Sequence, residues 1–177
     1  ALLSEEATEH DASLVVSAAP QQHAWLTSLC PGHYHVLHLL LVRTPESGLP
    51  DIAAASLVVG RQSQMANQAL PCVENGALSV RIDPNTGLMT ECCGLTEEGD
   101  RATYLVHPDS SQPIVGEFLP HWKQIKSALL SFFDESSYLH VCNVSVVITE
   151  TGASFFGTHH QALAAHQMHQ PLLEHPS

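Results

Sequence analysis

The sequence predicts an α+β domain: a mainly antiparallel sheet of four to six strands, with two or three helices packed on one face. Three observations predict it. Residues 77–93 alternate apolar and polar side chains on either side of Asp83-Pro84-Asn85-Thr86-Gly87, as the two arms of a hairpin do. Residues 120–133 repeat large apolar side chains at three- and four-residue spacing, the period of an amphipathic helix. The apolar runs at 33–43 and 138–149 are rich in Leu and Val and have the length of buried strands.

The elements follow in order. Residues 1–12 are acidic and aperiodic and read as a loose tail. Residues 13–170 form one domain, and 171–177 a C-terminal tail. Within the domain, 13–18 suits a short strand. Residues 21–30 carry Trp25, Leu26 and Leu29 and suit a short helix stopped by Pro31-Gly32. A buried strand over 33–43 runs into a loop marked by Pro45, Gly48 and Pro50. Residues 52–59 leave helix and strand open, because the alanines favour one and Leu57-Val58-Val59-Gly60 the other. Residues 61–70 suit a helix or a loop.

Folding about Asp83–Gly87 pairs Ile82 with Leu88, Val80 with Thr90 and Leu78 with Cys92. It leaves Arg81 and Glu91 as diagonal neighbours on the other face. A second turn at 97–100 leads to a third strand over 101–106, ended by His107-Pro108-Asp109. Pro120 suits the first turn of the helix that follows. Phe118, Trp122, Ile125, Leu129 and Phe132 form the stripe expected to pack on the hairpin. A strand over 138–149 comes next, then a turn and short extension over 151–157. A final helix starts at Thr158 and runs to about Met168.

A chain of 177 residues buries about 70% of its unfolded surface and needs no staple to hold a core. Its charge is unusual: 18 Asp and Glu against 6 Lys and Arg give a net −12. Such a balance excludes a nucleic-acid backbone as partner, which needs clustered cations. Anionic membranes are disfavoured likewise. No apolar run approaches the ~20 residues of a membrane span. The first residues lack the basic and apolar stretches of a secretory leader. The five cysteines cannot all pair internally and include no CxxC, so reduced, buried thiols and a cytoplasmic location are expected. The sequon Asn143-Val-Ser145 falls in a strand-like run, where a glycan fits poorly. Thirteen histidines titrate near pH 6.5, so net charge and solubility are expected to fall between about pH 7 and pH 5.

Histidine is the richest source of candidate chemistry. His33 and His35 share a face if their segment is a strand and could fill two positions of a metal site. His159, His166 and His169 share one stripe of the final helix and form a second candidate group. Zinc, copper or haem would suit such groups. Neither HExxH nor zinc-finger spacing is present, so no cofactor is the first expectation. Cys72, Cys92 and Cys142 could serve as nucleophiles, but core packing explains them as well. No GxSxG, GxGxxG or GxxxxGK[ST] occurs, and Lys123 and Lys126 are the only lysines, which excludes a P-loop. The carboxylate pairs Glu5-Glu6, Glu97-Glu98 and Asp134-Glu135 fall in predicted tails and turns, as solvated surface does.

The meander, His107-Pro108-Asp109, Pro120, Trp122 and the amphipathic helix together resemble the middle of a ubiquitin-conjugating or RWD-type domain over 77–136. Conjugating members of that family carry a catalytic cysteine between the His-Pro pair and the Trp; this chain has none there. The resemblance therefore implies a non-catalytic interaction module. The functional expectation is a non-enzymatic interaction or assembly domain that binds a protein partner or itself. The alternative is a histidine-dependent metal- or haem-binding protein, enzymatic or not.

Overall fold

A computed structural model describes residues 20–62, 71–96, 98–157, 165, 166, 168 and 169. Seven strands build one sheet: β1 (Val36–Arg43), β2 (Pro50–Val59), β3 (Leu78–Ile82), β4 (Met89–Leu95), β5 (Arg101–Thr103), β6 (Val141–Thr149) and β7 (Gly152–Gly157). Their order is β5-β4-β3-β2-β1-β6-β7, and each neighbouring pair is antiparallel. Only the step from β5 to β6 crosses the sheet, and it carries the long helix α2 (Trp122–Glu135). A six-residue helix, α1 (Ala24–Leu29), precedes the sheet, and a 3-10 turn spans Val73–Asn75.

This corrects the predicted fold class. Among the described residues the sheet has seven strands rather than four to six, and one long helix covers it rather than two or three. The ambiguous alanines of 52–59 belong to a central strand between β1 and β3, where packing decides conformation over intrinsic preference. The extension at 151–157 pairs with β6 as a full strand. Of the predicted final helix, only Ala165 and His166 are described as helical. The tails, the strand at 13–18 and residues 63–70 lie outside the described residues. Among the described residues, no helix is long and apolar enough to cross a membrane.

The hairpin stands, but its register differs. Gly87 takes a left-handed φ of +79°, and its N–H donates to the Asp83 carbonyl at 2.8 Å. A bulge between Arg81 and Ile82 pairs Ile82 with Met89 and sets Arg81 directly opposite Glu91, not diagonal to it. The cause lies outside the hairpin. Leu88 bridges to Phe118, and the Met89 N–H donates to the Glu117 carbonyl at 2.9 Å; the returning arm is displaced by one residue at Met89 and, with Thr90 as the extra residue of the bulge, by two at Glu91.

One sheet face makes the core. Leu37, Leu39, Leu57, Val80, Ile82, Val144 and Val146 point to it, and α1, α2 and the 114–119 loop cover it. Trp122 lies against the turn so closely that a Cβ on Gly87 would fall 2.4 Å from its Cγ. Trp122, Ile125 and the partly buried Leu129 pack on the core as expected, but Phe133 completes the stripe in place of Phe132 and Phe118. Phe132 and Phe118 are 51% and 64% exposed. Spacings of three, four and four keep Phe133 in line, whereas Phe132 lies about 100° around the helix. Arg43 closes the far end: it donates to the Phe133 carbonyl at 2.6 Å and the Leu139 carbonyl at 3.0 Å, with its guanidinium 5.2 Å above the Phe133 ring. These bonds satisfy carbonyls that a helix end leaves open.

Candidate functional site

The two predicted histidine groups meet different fates. His33 and His35 precede β1 rather than lying on it. His35 is fully buried. Its Nδ1 accepts the Gly60 N–H at 3.1 Å, and its own N–H donates to Gln22 Oε1 at 2.6 Å. The His33 Nδ1 lies 3.4 Å from Cys30 Sγ. Gly60 packs so tightly that a Cβ there would fall 2.8 Å from the His33 Cβ. His107 completes this knot: its Nε2 donates to the Gly60 carbonyl at 3.0 Å, and its Nδ1 faces the Asp109 N–H at 3.2 Å. These rings fasten the end of β2 to the entry of β1. Burial pushes the His35 pKa down to about 3, with the Leu26 backbone opposing in part, so the ring is neutral at pH 7.

The second group lies on the face opposite the core, and the register explains why that face is polar. Ser145, His38, Ser56, Arg81 and Glu91 come from five adjacent strands, β6, β1, β2, β3 and β4, each directly opposite the next. Side chains alternate along a strand, so all five project from one face as a single cross-strand row. Ser79 and Cys93 form part of the neighbouring row. Ala165, His166, Met168 and His169 bond to both rows. The His38 Nδ1 lies 2.8 Å from Ser145 Oγ, and the His166 Nδ1 lies 2.9 Å from Ser56 Oγ. The Ser79 hydroxyl lies 2.9 Å from both the Ala165 carbonyl and the His169 Nε2. The His169 Nδ1 is 3.1 Å from Glu91 Oε2, and Arg101 pairs with the same carboxylate.

Electrostatics follow from these contacts. Burial pushes the His166 pKa down to about 4, and His169 adds to the shift. Burial also lowers that of His169, against the pull of Glu91. Burial would raise the Glu91 carboxyl, but His169 and Arg101 outweigh it and hold it below the usual range. Arg81 stands exposed beside a cleft of about 80 Å³ lined by Leu40, Ala54, Ser56, Arg81, His166 and His169.

Of the predicted site residues, the fold brings His166 and His169 together, separates His33 and His35 from them, and leaves His159 outside the described residues. Among the described residues, no three His, Cys, Asp or Glu side chains are grouped to hold a metal. Sequence reading missed Ser56, Ser79, Ser145 and His38. Only the alternation about the hairpin, which put Arg81 and Glu91 on the outer face, pointed to this surface. Ser145 is fully buried, so the sequon lies within the sheet. A larger groove of about 600 Å³ opens beside α1, but its Tyr34, Ser28 and Glu150 already bond to neighbouring backbone.

Residues 41–176 match the family described as sugar-transfer associated ATP-grasp, a span of over three quarters of the chain. The chain belongs to this family. The ATP-grasp span takes in β2 to β7, α2, and Ala165, His166 and His169 on the polar face. Membership overturns the expectation of a non-enzymatic interaction domain, since an ATP-grasp fold is of ATP-dependent enzyme type. It also replaces the resemblance to RWD-type domains, whose stretch at 77–136 lies wholly inside the ATP-grasp match. The missing P-loop is no contradiction: that motif is one way to hold a nucleotide and not the only one. No curated protein and no solved structure matches the chain.

Proposed function

We propose that this ATP-grasp protein binds ATP on the polar face of its sheet and serves an ATP-dependent step of sugar transfer. The observation that carries the reading is the family match, whose span contains Ser56, Arg81, Glu91, Ser145 and His166. Two features support it. The polar face carries hydroxyl, imidazole and guanidinium groups in one row, the donor types that hold phosphate oxygens. Its cleft is sized for one phosphoryl group, so the nucleoside needs a second wall. A protein partner or a second copy of the chain supplies that wall in this reading. With a net charge of −12, long-range steering of an anion is weak, so affinity rests on a few directed contacts. The five free cysteines fit a reducing compartment supplied with ATP, the cytoplasm.

Calorimetric titration with magnesium-ATP, against adenosine as control, tests binding. ADP release with and without sugar phosphates tests turnover. Saturable ATP binding with a 1:1 stoichiometry is expected, and ADP release stimulated by a sugar substrate. Absence of both saturation and a thermal shift at millimolar ATP would reject the reading.

A further inference from the structure

The polar face of the sheet is not bare. Ala165, His166, Met168 and His169 lie on it as a strap across the adjacent strands β2, β3 and β4. Polar bonds tie the strap down. The His166 Nδ1 lies 2.9 Å from Ser56 Oγ on β2, and the His169 Nε2 lies 2.9 Å from Ser79 Oγ on β3. The His169 Nδ1 is 3.1 Å from Glu91 Oε2 and 3.7 Å from Cys93 Sγ, both on β4. That thiol also donates to the Met168 carbonyl at 3.7 Å. The apolar hold is small. Ala165 packs with Val58, Val73 and Ala77, with Met168 against them, in a cluster separate from the main core.

A floor of hydroxyls and a carboxylate loses little when its cover is exchanged for water or for another polar ligand, since each bond is replaced in kind. The strap therefore lifts at lower cost than the main core opens, and that core lies on the other face of the sheet. While the strap is down, it leaves a cleft of about 80 Å³ against Leu40, Ser56 and Arg81. Pockets for ligands of nucleotide size run on the order of 300–1,000 Å³, so a nucleoside triphosphate and the strap do not fit this face together.

We propose that the strap is an autoinhibitory cover: ATP binds the polar face only when Ala165, His166, Met168 and His169 have lifted from it. The inference rests on the ATP reading and names the regulation of that site. Closed and open forms exchange, ATP selects the open one, and the measured affinity is reduced by the fraction of chains that are open. The second wall that the nucleoside needs takes the place the strap leaves. Lifting also uncovers Cys93, which is fully buried against Met168 and His169. Its neighbour Cys92 faces the main core and stays covered. Two adjacent thiols on one strand thus report separately on the strap and on global unfolding.

The test loosens the strap and leaves the floor intact. Ala165→Gln crowds the small cluster with a polar side chain, and His169→Ala removes the contacts to Ser79, Glu91 and Cys93. Either variant serves if the other does not fold. The full chain, parent and variants, is treated with a thiol reagent at pH 8 and mapped by peptide mass, and is titrated calorimetrically with magnesium-ATP. Labelling of Cys93 about tenfold faster or more than in the parent is expected, with Cys92 still protected, together with ATP affinity tighter by about tenfold. Cys93 that stays protected in the folded variants overturns the inference. If Cys93 is uncovered and ATP binds parent and variants equally, the inference falls and the ATP reading stands. If Cys93 is uncovered and neither parent nor variants bind ATP at millimolar concentration, the ATP reading falls and the inference falls with it.

Discussion

Acid should unfold this protein through its buried histidines well before its carboxylates titrate. His35 and His166 have pKa values pushed down to about 3 and about 4 in the folded chain, against 6.5 when exposed. Above pH 6.5 neither state binds these two protons, and stability is at its full value. Below it, the unfolded chain takes up both and the folded chain refuses them, so stability falls with falling pH. Each refused proton costs about 1.4 kcal/mol per pH unit. Two of them over the two units from pH 6.5 to 4.5 amount to about 5 kcal/mol, comparable with the whole stability of a small marginal domain. His169 is shifted in the same direction and adds to the loss. The lowered carboxyls of Asp83, Glu91 and Glu98 join only as pH falls below about 4.5. The assay is urea unfolding followed by tryptophan fluorescence at dilute protein, from pH 7.5 to 5.0. The plot of unfolding free energy against pH should approach a slope of at least two protons near pH 5, with His169 adding to it. His35→Gln keeps an acceptor for the Gly60 N–H and removes one titrating ring, so the slope should drop by about one. His166→Gln should do the same if His35→Gln does not fold. A flat profile between pH 7.5 and 5.0, or an unchanged slope in both variants, would refute the reasoning.

Three further outcomes follow from packing. Gly87→Ala combines a left-handed φ with a Cβ 2.4 Å from the Trp122 Cγ, so it should lower stability by about 1–3 kcal/mol in thermal or urea melts. Trp122→Ala should cost about 3–5 kcal/mol, while Phe132→Ala, at a half-exposed position, should change stability by less than about 1 kcal/mol; equal effects would contradict the orientation of α2. A thiol reagent at pH 8 should label the native protein only at Cys72 and Cys142 and label all five cysteines after denaturation, because Cys30, Cys92 and Cys93 are buried and burial pushes the Cys92 thiol up to about 12. Rapid native labelling of Cys92, read by peptide mass, would show that its strand is not in the core.

Local signals carried part of the site and hid the rest. Alternation about Asp83–Gly87 placed Arg81 and Glu91 on an outer face, because a period of two is a property of each strand alone. It could not place them opposite each other, since the bulge that does so depends on Glu117 and Phe118 some thirty residues on. The HxH pair at 33 and 35 looked like two ligands, yet one ring caps the Gly60 N–H and the other lies beside a thiol. A histidine's role depends on which groups reach its two nitrogens, and spacing records neither. The serines of the polar row gave no signal, because Ser56 among alanines and Ser145 among valines read as ordinary strand positions.

The sequence by itself determined the hairpin, the existence of the long helix, the strands β1 and β6 and the scarcity of cations, but left β2 open between helix and strand. These follow from turn residues, apolar period and composition, which act over a few neighbours or over the chain as a whole. Only the tertiary structure decided that seven strands share one sheet, and that Ser145, His38, Ser56, Arg81 and Glu91 line up across five of them. It alone brought His166 and His169 down on that row. Such groupings are set by long-range register and burial, where each residue's partner is chosen by the packing of distant segments and not by its own neighbours.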